Sequence, residues 1–208
     1  MSETAEHELE TTTEVEDAEA HEVLTAEERE RRAHALAEVR QFGDPVLRSK
    51  ASEVKEFGPE LEAEAERMVA IMRDAMGIGL AATQLGVLRR MLVFQAGPDN
   101  TPTAVVNPQI EWLSEEMATA EEGCLSLPGI GLDVDRALHA RVRAQDVHGE
   151  PMLLEASGLE ARVLQHEIDH LDGVLILDRA PRDQRKAALR ALREGETYHP
   201  DTEPEPEP

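Results

Sequence analysis

The segment His166-Glu167-Ile168-Asp169-His170 constrains this chain more than any other. Residues four apart on a helix lie one above the other, so both imidazoles can offer a nitrogen to a single metal ion. Glu167, directly after the first histidine, falls beside water held by such an ion, where a carboxylate can take its proton. Around the motif, Leu159, Val163, Leu164, Ile168 and Leu171 recur at helical spacing. Residues 158–170 therefore read as an amphipathic helix with one apolar stripe.

Two histidines leave a metal site incomplete, and the third ligand separates the enzyme classes. A metzincin protease would continue as H-x-x-G-x-x-H; Gly173 is present, but Ile176 stands where the histidine belongs, so that reading fails. A thermolysin-like endopeptidase would take a glutamate downstream, and Glu194 and Glu196 are the candidates, in a segment that reads as frayed helix passing into tail. Asp178 and Asp183 are closer but lack a supporting pattern. The remaining candidate is Cys124, the only cysteine, which lies in Glu121-Glu122-Gly123-Cys124-Leu125-Ser126-Leu127-Pro128-Gly129. A thiolate there would be kept deprotonated by the ion itself. A lone cysteine by itself is more often a packed small residue.

The rest of the chain supplies the frame. At 208 residues it suits one catalytic domain. Thr25, with Glu28 three residues on, predicts a capped helix start. Gln41-Phe42-Gly43-Asp44-Pro45-Val46-Leu47 reads as a turn followed by apolar residues. After Gly58-Pro59, the residues Leu61, Ala65, Met68, Ile71, Met72 and Ala75 predict a second helix that stops at Gly77. Short apolar runs at 91–95, 104–107, 110–113, 137–147 and 152–155 predict strands of a mostly antiparallel assembly. A last helix is expected over 182–193.

Charge and hydropathy assign the ends. Most of the net charge of -23 sits there: residues 1–30 carry 12 acidic and 1 basic side chains, and 194–208 carry 6 acidic and none basic. The expected division is a disordered acidic extension over 1–24, a single domain over 25–194 and an acidic Pro/Glu tail over 195–208. No apolar run is long enough to span a bilayer and the N-terminus is acidic, so a cytoplasmic location is expected. A single cysteine excludes an intramolecular disulfide. With aromatics at only 2%, the core must come from Leu, Val, Ile, Ala and Met.

Three unbroken segments, Gly77-Ile78-Gly79-Leu80-Ala81-Ala82-Thr83-Gln84, Glu122-Gly123-Cys124-Leu125-Ser126 and Gln165-His166-Glu167-Ile168-Asp169-His170-Leu171, resemble the motifs of the peptide deformylase family in content and order. Weaker likeness at Gly43-Asp44-Pro45-Val46-Leu47 and Asn107-Pro108 extends the resemblance over about residues 38–180. By itself the first segment would pass for a turn after a helix, since it lacks both the G-x-G-x-x-G spacing and the lysine of a phosphate loop.

The resemblance implies an α+β fold of small, mostly antiparallel sheets around the HExxH helix, flanked by N- and C-terminal helices. It implies a divalent ion on Cys124, His166 and His170, Fe(II) first, with Zn(II), Ni(II) or Co(II) as substitutes. Glu167 would move the proton, while the Gln84 side-chain amide and the Leu125 backbone N–H would face the developing negative charge. Ile78, Gly79, Glu122, Gly123, Leu159 and Val163 would bind substrate, the backbone near Ile78 and Gly79 pairing with it as an added strand. The implied reaction removes the formyl group from N-formylmethionyl nascent peptides. In some members a C-terminal helix docks on the ribosome, and Arg182, Arg185, Lys186, Arg190 and Arg193 of the last helix would suit ribosomal RNA phosphates, although such a charge run is more often a solvated helix face; neither a membrane nor DNA is an expected partner. Some members carry an arginine seven residues after the cysteine; this chain has Gly131 there, and its next arginine is Arg136. Two other readings stand beside this one: an HExxH endopeptidase with its third ligand downstream, and a non-enzymatic, ribosome-associated relative.

Overall fold

Thr25 opens the first helix by a reciprocal cap. Its hydroxyl accepts from the Glu28 backbone N–H at 3.2 Å, and the Glu28 carboxylate accepts from the Thr25 N–H at 2.8 Å, so two backbone donors are satisfied at the start of α1 (Ala26–Glu38). The computed structural model describes residues 24–97 and 99–200. Most of the expected acidic extension, and residues 201–208 of the tail, lie outside them.

The second helix, α2 (Pro59–Asp74), begins with proline in its first turn, where a missing N–H costs nothing, and buries Leu61, Ala65, Met68, Ile71 and Met72. Its end corrects the sequence expectation. The left-handed residue that stops it is Met76 (φ 61°), not Gly77. The Gly77 N–H returns to the Met72 carbonyl at 2.8 Å and the Met76 N–H to that of Arg73 at 2.9 Å, the double closure of a Schellman cap. Gly77 serves packing instead, since a Cβ there would meet Leu125 Cδ1 at 3.0 Å.

The strands form two antiparallel sheets. The larger has the order β1 (Gly79–Ala81), β2 (Met91–Phe94), β3 (Thr103–Leu113), β6 (His139–Gln145), β7 (Pro151–Ser157), and the smaller pairs β4 (Met117–Cys124) with β5 (Leu127–Ala137). The two runs expected at 104–107 and 110–113 are one strand, bent by a register shift around Asn107 (φ 52°). β1, β4 and β5 are not among the expected strands, although Ile130, Leu132 and Val134 of β5 alternate with polar or small residues and are buried. β4 is mostly exposed, so its sequence lacks a period-two signal.

Against the larger sheet packs α3 (Leu159–Leu171), with Leu164, Ile168 and Leu171 in one buried cluster with Leu92, Phe94, Val105 and Val142. Each such side chain contributes roughly 1.5–3 kcal/mol on burial, which anchors the helix from beneath. A separate cluster joins Leu127, Leu132 and Val134 of β5 to Ile176 and Leu177 of α4 (Ile176–Arg179) and to Ala188 and Ala191 of α5 (Arg182–Glu194). Phe94 is the only aromatic among the buried core residues described. The architecture is thus α+β, with α3 wedged between the two sheets.

Residues 195–200 continue past the expected domain end along the body. Gly195, left-handed at φ 73°, ends α5. Beyond it the Tyr198 N–H donates to the Gly129 carbonyl at 2.9 Å and the Gly131 N–H to that of Tyr198 at 2.7 Å. This C-terminal strap lies parallel to the Gly129–Gly131 stretch of β5.

Candidate metal centre

Helical spacing brings the two histidines of α3 together as expected: their ring centroids are 4.9 Å apart. The end of β4 supplies the third donor. Cys124 Sγ lies 3.2 Å from His170 Nε2, and one donor atom each from Cys124, His166 and His170 falls within 4.8 Å of the other two. A shared ion with bonds of about 2.0–2.3 Å requires donors this close. Glu194 and Glu196 are not in this group, so a downstream glutamate does not complete the set.

Charge in the site also suits a cation. Burial works against a charged His166, but its hydrogen bonds with Cys124 and Glu122 outweigh burial and hold its pKa well above the ordinary histidine value. Burial lowers that of His170 well below it, helped by the charges of His166 and Arg136. His166 thus favours its charged form and His170 its neutral one, and an ion bound to both would need a deprotonated nitrogen from each. Soft thiolate with two imidazoles suits iron or zinc.

Behind the donors is a buried ionic cluster. Glu122 Oε2 is 3.0 Å from His166 Nδ1 and accepts from Arg136 Nη2 at 2.9 Å, while Oε1 accepts from Arg136 Nε at 3.0 Å and Arg162 Nη1 at 2.7 Å. Burial opposes the charged form of Glu122, yet the hydrogen bonds from His166 and Arg136, with the charge of Arg136, hold its carboxyl down at about 2. Arg136 continues to Asp169 at 2.5 Å, and Arg179 closes on the same carboxylate at 2.6 Å. Glu122, expected among the substrate contacts, therefore has both oxygens committed to this cluster. Arg136 is buried within it and does not replace an arginine at position 131.

The donors open on a cavity of about 520 Å³. Its wall contains nearly every expected site residue: Ile78, Gly79, Gln84, Glu122, Gly123, Cys124, Leu125, Leu159, Val163, His166 and Glu167. Ile78 and Leu159 are 47% and 57% exposed, whereas Val163 is buried and shared with the core beneath α3. Gln84 is buried in the short 3₁₀ turn after β1. Its Oε1 accepts from the Ala81 N–H at 2.9 Å, which turns Nε2 toward Cys124 Sγ (3.6 Å) and Ser126 Oγ (3.2 Å).

Glu167 is buried, and burial pushes its carboxyl up to about 7, against the charge of His166. Its Oε2 has no hydrogen-bond partner among the described residues. A carboxyl near neutrality, in the cavity wall beside the donors, can both take and return a proton.

Sequence reading missed Arg162, Arg179, Ser126, Glu121 and His199 near this site. The one available signal was charge on a helix that otherwise reads as buried, since Arg162 and Asp169 stand among Val163, Leu164 and Ile168. The contribution of His199 had no signal, because it arrives from beyond the last helix.

Comparison with known proteins gives one family throughout. The sequence model of the polypeptide deformylase family matches residues 36–186. The peptide deformylase of Acidothermus cellulolyticus is 46% identical over 176 residues, covering 83% of this chain and 96% of that protein. Peptide deformylase 1 of Corynebacterium glutamicum is 46% identical over 161 residues, covering 76% and 95%. Among solved structures, the peptide deformylase of Thermotoga maritima superposes with a TM-score of 0.67 at 45% identity, covering 69% of this chain and 96% of that one. That of Synechococcus elongatus in complex with actinonin gives 0.69 at 38% identity, covering 76% and 88%.

Proposed function

Because the chain belongs to the polypeptide deformylase family, we propose that Cys124, His166 and His170 hold one divalent ion and that Glu167 moves the proton as formyl-methionyl peptides are hydrolysed. The activity is that of a peptide deformylase: water adds to the formyl amide, and formate leaves from a free N-terminal amine. The observation that carries the residue assignment is the convergence of three donors, two of them in the wall of one cavity that also holds Glu167 with an uncommitted buried carboxyl oxygen.

When bound, a divalent ion supplies a Lewis acid that makes water a usable nucleophile near neutral pH. Glu167 takes the proton released in the attack and later passes it to the departing amine, a cycle suited to a carboxyl poised at about 7. Gln84 Nε2, held by the anchoring of its own Oε1 on Ala81, faces the growing negative charge on the formyl oxygen together with the Leu125 N–H. Glu122 fixes His166 from behind: an Nδ1–H donated to it leaves Nε2 for the ion.

Substrate placement follows from β1. Among the described residues this strand is at the edge of its sheet, paired only with β2, and Ile78 and Gly79 line the cavity. An extended peptide can add there, with the methionine side chain against Ile78, Leu159 and Val163. Fe(II) is the proposed ion, with Zn(II), Ni(II) or Co(II) as substitutes. The proposed unit of function is a single catalytic domain.

No described helix is long and apolar enough to cross a membrane. The cytoplasm, where formylated chains are made, is the proposed location. The exposed Arg182, Arg185, Lys186, Arg190 and Arg193 of α5 offer a surface for ribosomal RNA phosphates. Ribosome pelleting that is unchanged on deletion of residues 181–208 would remove that partner.

Formate release from a formyl-Met peptide, with metal content measured alongside, tests the central assignment. Wild type should release formate, and Glu167→Ala should keep the metal but lose activity by about 10²–10⁴-fold, the usual worth of a positioned acid–base group. A metal-replete Glu167→Ala protein with full activity would refute the role of Glu167.

A further inference from the structure

The first helix supplies part of the cavity wall. Arg32 and Leu36 of α1 both line it, one helical turn apart on the same face, whereas the family match begins only at residue 36. Packing fixes where they stand. Ala35 and Val39 are buried in one cluster with Leu61, Ala65, Met68 and Met72 of α2, Leu36 rests against that cluster, and the Arg40 N–H donates to the Gln84 carbonyl at 2.7 Å. Arg32 is thus presented by a packed helix tied to the turn that carries Gln84.

Charge sets Arg32 apart from the rest of the wall. Glu121 is paired with His199, and Glu122 holds Arg162 as well as Arg136 and His166. Arg32 is exposed and has no ion-pair or hydrogen-bond partner among the described residues. Leu36 and the exposed Met76 give the same wall apolar surface. A guanidinium that shares a wall with apolar side chains suits a carboxylate on a short aliphatic stem, since its planar fork matches both oxygens.

We propose that Arg32 is a specificity residue for acidic nascent chains, pairing with the side-chain carboxylate of an Asp or Glu that follows the formyl-methionine. The inference rests on the deformylase reading for its substrate and adds a sequence preference to it. The cavity wall runs from Gly79, set against Glu167, back to Met76, a stretch of at most about 10 Å at about 3.3 Å per residue. A peptide added beside β1 advances at the same rate, so its second, third and fourth residues are those within the cavity.

The test measures kcat/KM in the full-length, metal-loaded enzyme for formyl-Met-Ala-Ala-Ala amides in which Glu or Gln replaces one Ala in turn. The amide end removes the terminal carboxylate, so the Glu-to-Gln ratio reads the side chain alone. Wild type should favour Glu by about threefold to fivefold at one position, through KM, as an exposed ion pair allows. The ratio should fall toward one in about 0.5 M salt. Arg32→Ala should bring it to one, Arg32→Lys should keep part of it, and Arg32→Glu should favour Lys over Gln at the same position. Arg31→Ala controls for net charge: Arg31 is the neighbouring residue but lines the groove between α1 and α2 instead, so the wild-type ratio should persist. A wild-type ratio of one at all three positions, or a preference that survives Arg32→Ala, would overturn the proposal. So would an equal loss in Arg31→Ala, which would assign the effect to overall charge. Wild type that releases no formate from any of the peptides, neutral ones included, would instead reject the deformylase reading, and this preference with it.

Discussion

Gly79 and Glu167 occupy a space with room for one side chain. A Cβ on Gly79 would stand 2.8 Å from Glu167 Cδ and 2.9 Å from Cγ, so β1 and α3 approach as they do only because residue 79 has none. The strand proposed to receive the peptide is thereby set directly against the carboxylate proposed to serve it.

Gly79→Ala should therefore displace Glu167 without touching a metal donor. The expected result is a fall in kcat of about 10²-fold, as misplacement of a catalytic group by about 1 Å commonly produces, with metal content unchanged. Steady-state kinetics beside metal analysis checks this. Unaltered kcat would mean that Glu167 has freedom the packing denies it.

Cys124 distinguishes the thiolate-ligated site from an endopeptidase with a downstream glutamate. Cys124→Ser should lose most of its metal on dialysis and most of its formate release, whereas Glu194→Ala and Glu196→Ala should keep both. Removing the ion from wild type with a chelator should lower the melting temperature as well as abolish activity, because an ion that binds only the folded site stabilises it. An apo protein melting with the holoprotein would contradict that coupling.

Arg136 lies between two buried carboxylates, those of Glu122 and Asp169, at 2.9 Å and 2.5 Å. Arg136→Ala leaves both with fewer compensating charges, and removal of one partner from a buried ion pair costs about 3–5 kcal/mol. Urea unfolding should show a loss of about that size, with weaker metal retention as His166 loses its backing. A change below about 1 kcal/mol would show that Arg162 and Arg179 suffice to hold the cluster.

Asp178 gives a pH dependence away from the metal donors. Burial raises its pKa, but hydrogen bonds from Arg48 and the Leu175 N–H, with the charge of Arg48, outweigh burial and bring it below the ordinary 3.8. A carboxyl depressed in the folded state adds stability that is fully present above its unfolded pKa and lost as pH falls through the folded one. Wild type should thus exceed Asp178→Asn in stability by about 1 kcal/mol at pH 7, as expected for a half-exposed charged hydrogen bond. That margin should shrink below about pH 4 as the carboxyl protonates. Thermal melts of both proteins from pH 7 to pH 3 measure it, and a margin that grows in acid would contradict the assignment.

What could be read without coordinates was local. The Thr25 cap, the apolar stripes of α2 and α3 and the approach of His166 to His170 are set by neighbours within about one helical turn, and that information is written contiguously in the chain. Motif content named the third ligand, because Cys124 was matched by family resemblance rather than by any periodicity of its own. The stop at Met76 was misplaced because either residue can follow a helix, and the crowding of Gly77 against Leu125 is invisible in sequence. Residues 117–124 and 127–137 form a hairpin through mutual pairing and through the packing of β5 on α4 and α5; the alternation of Ile130, Leu132 and Val134 marks the buried face of β5, but no local pattern names its partner strand or the helices it meets. The commitment of Glu122 to Arg136 and Arg162, and the arrival of His199 beside Glu121, were decided in the same way. Helix periodicity is a property of a segment, whereas a buried charge cluster or a groove wall exists only when distant segments meet, since partners for desolvated groups are settled by three-dimensional proximity.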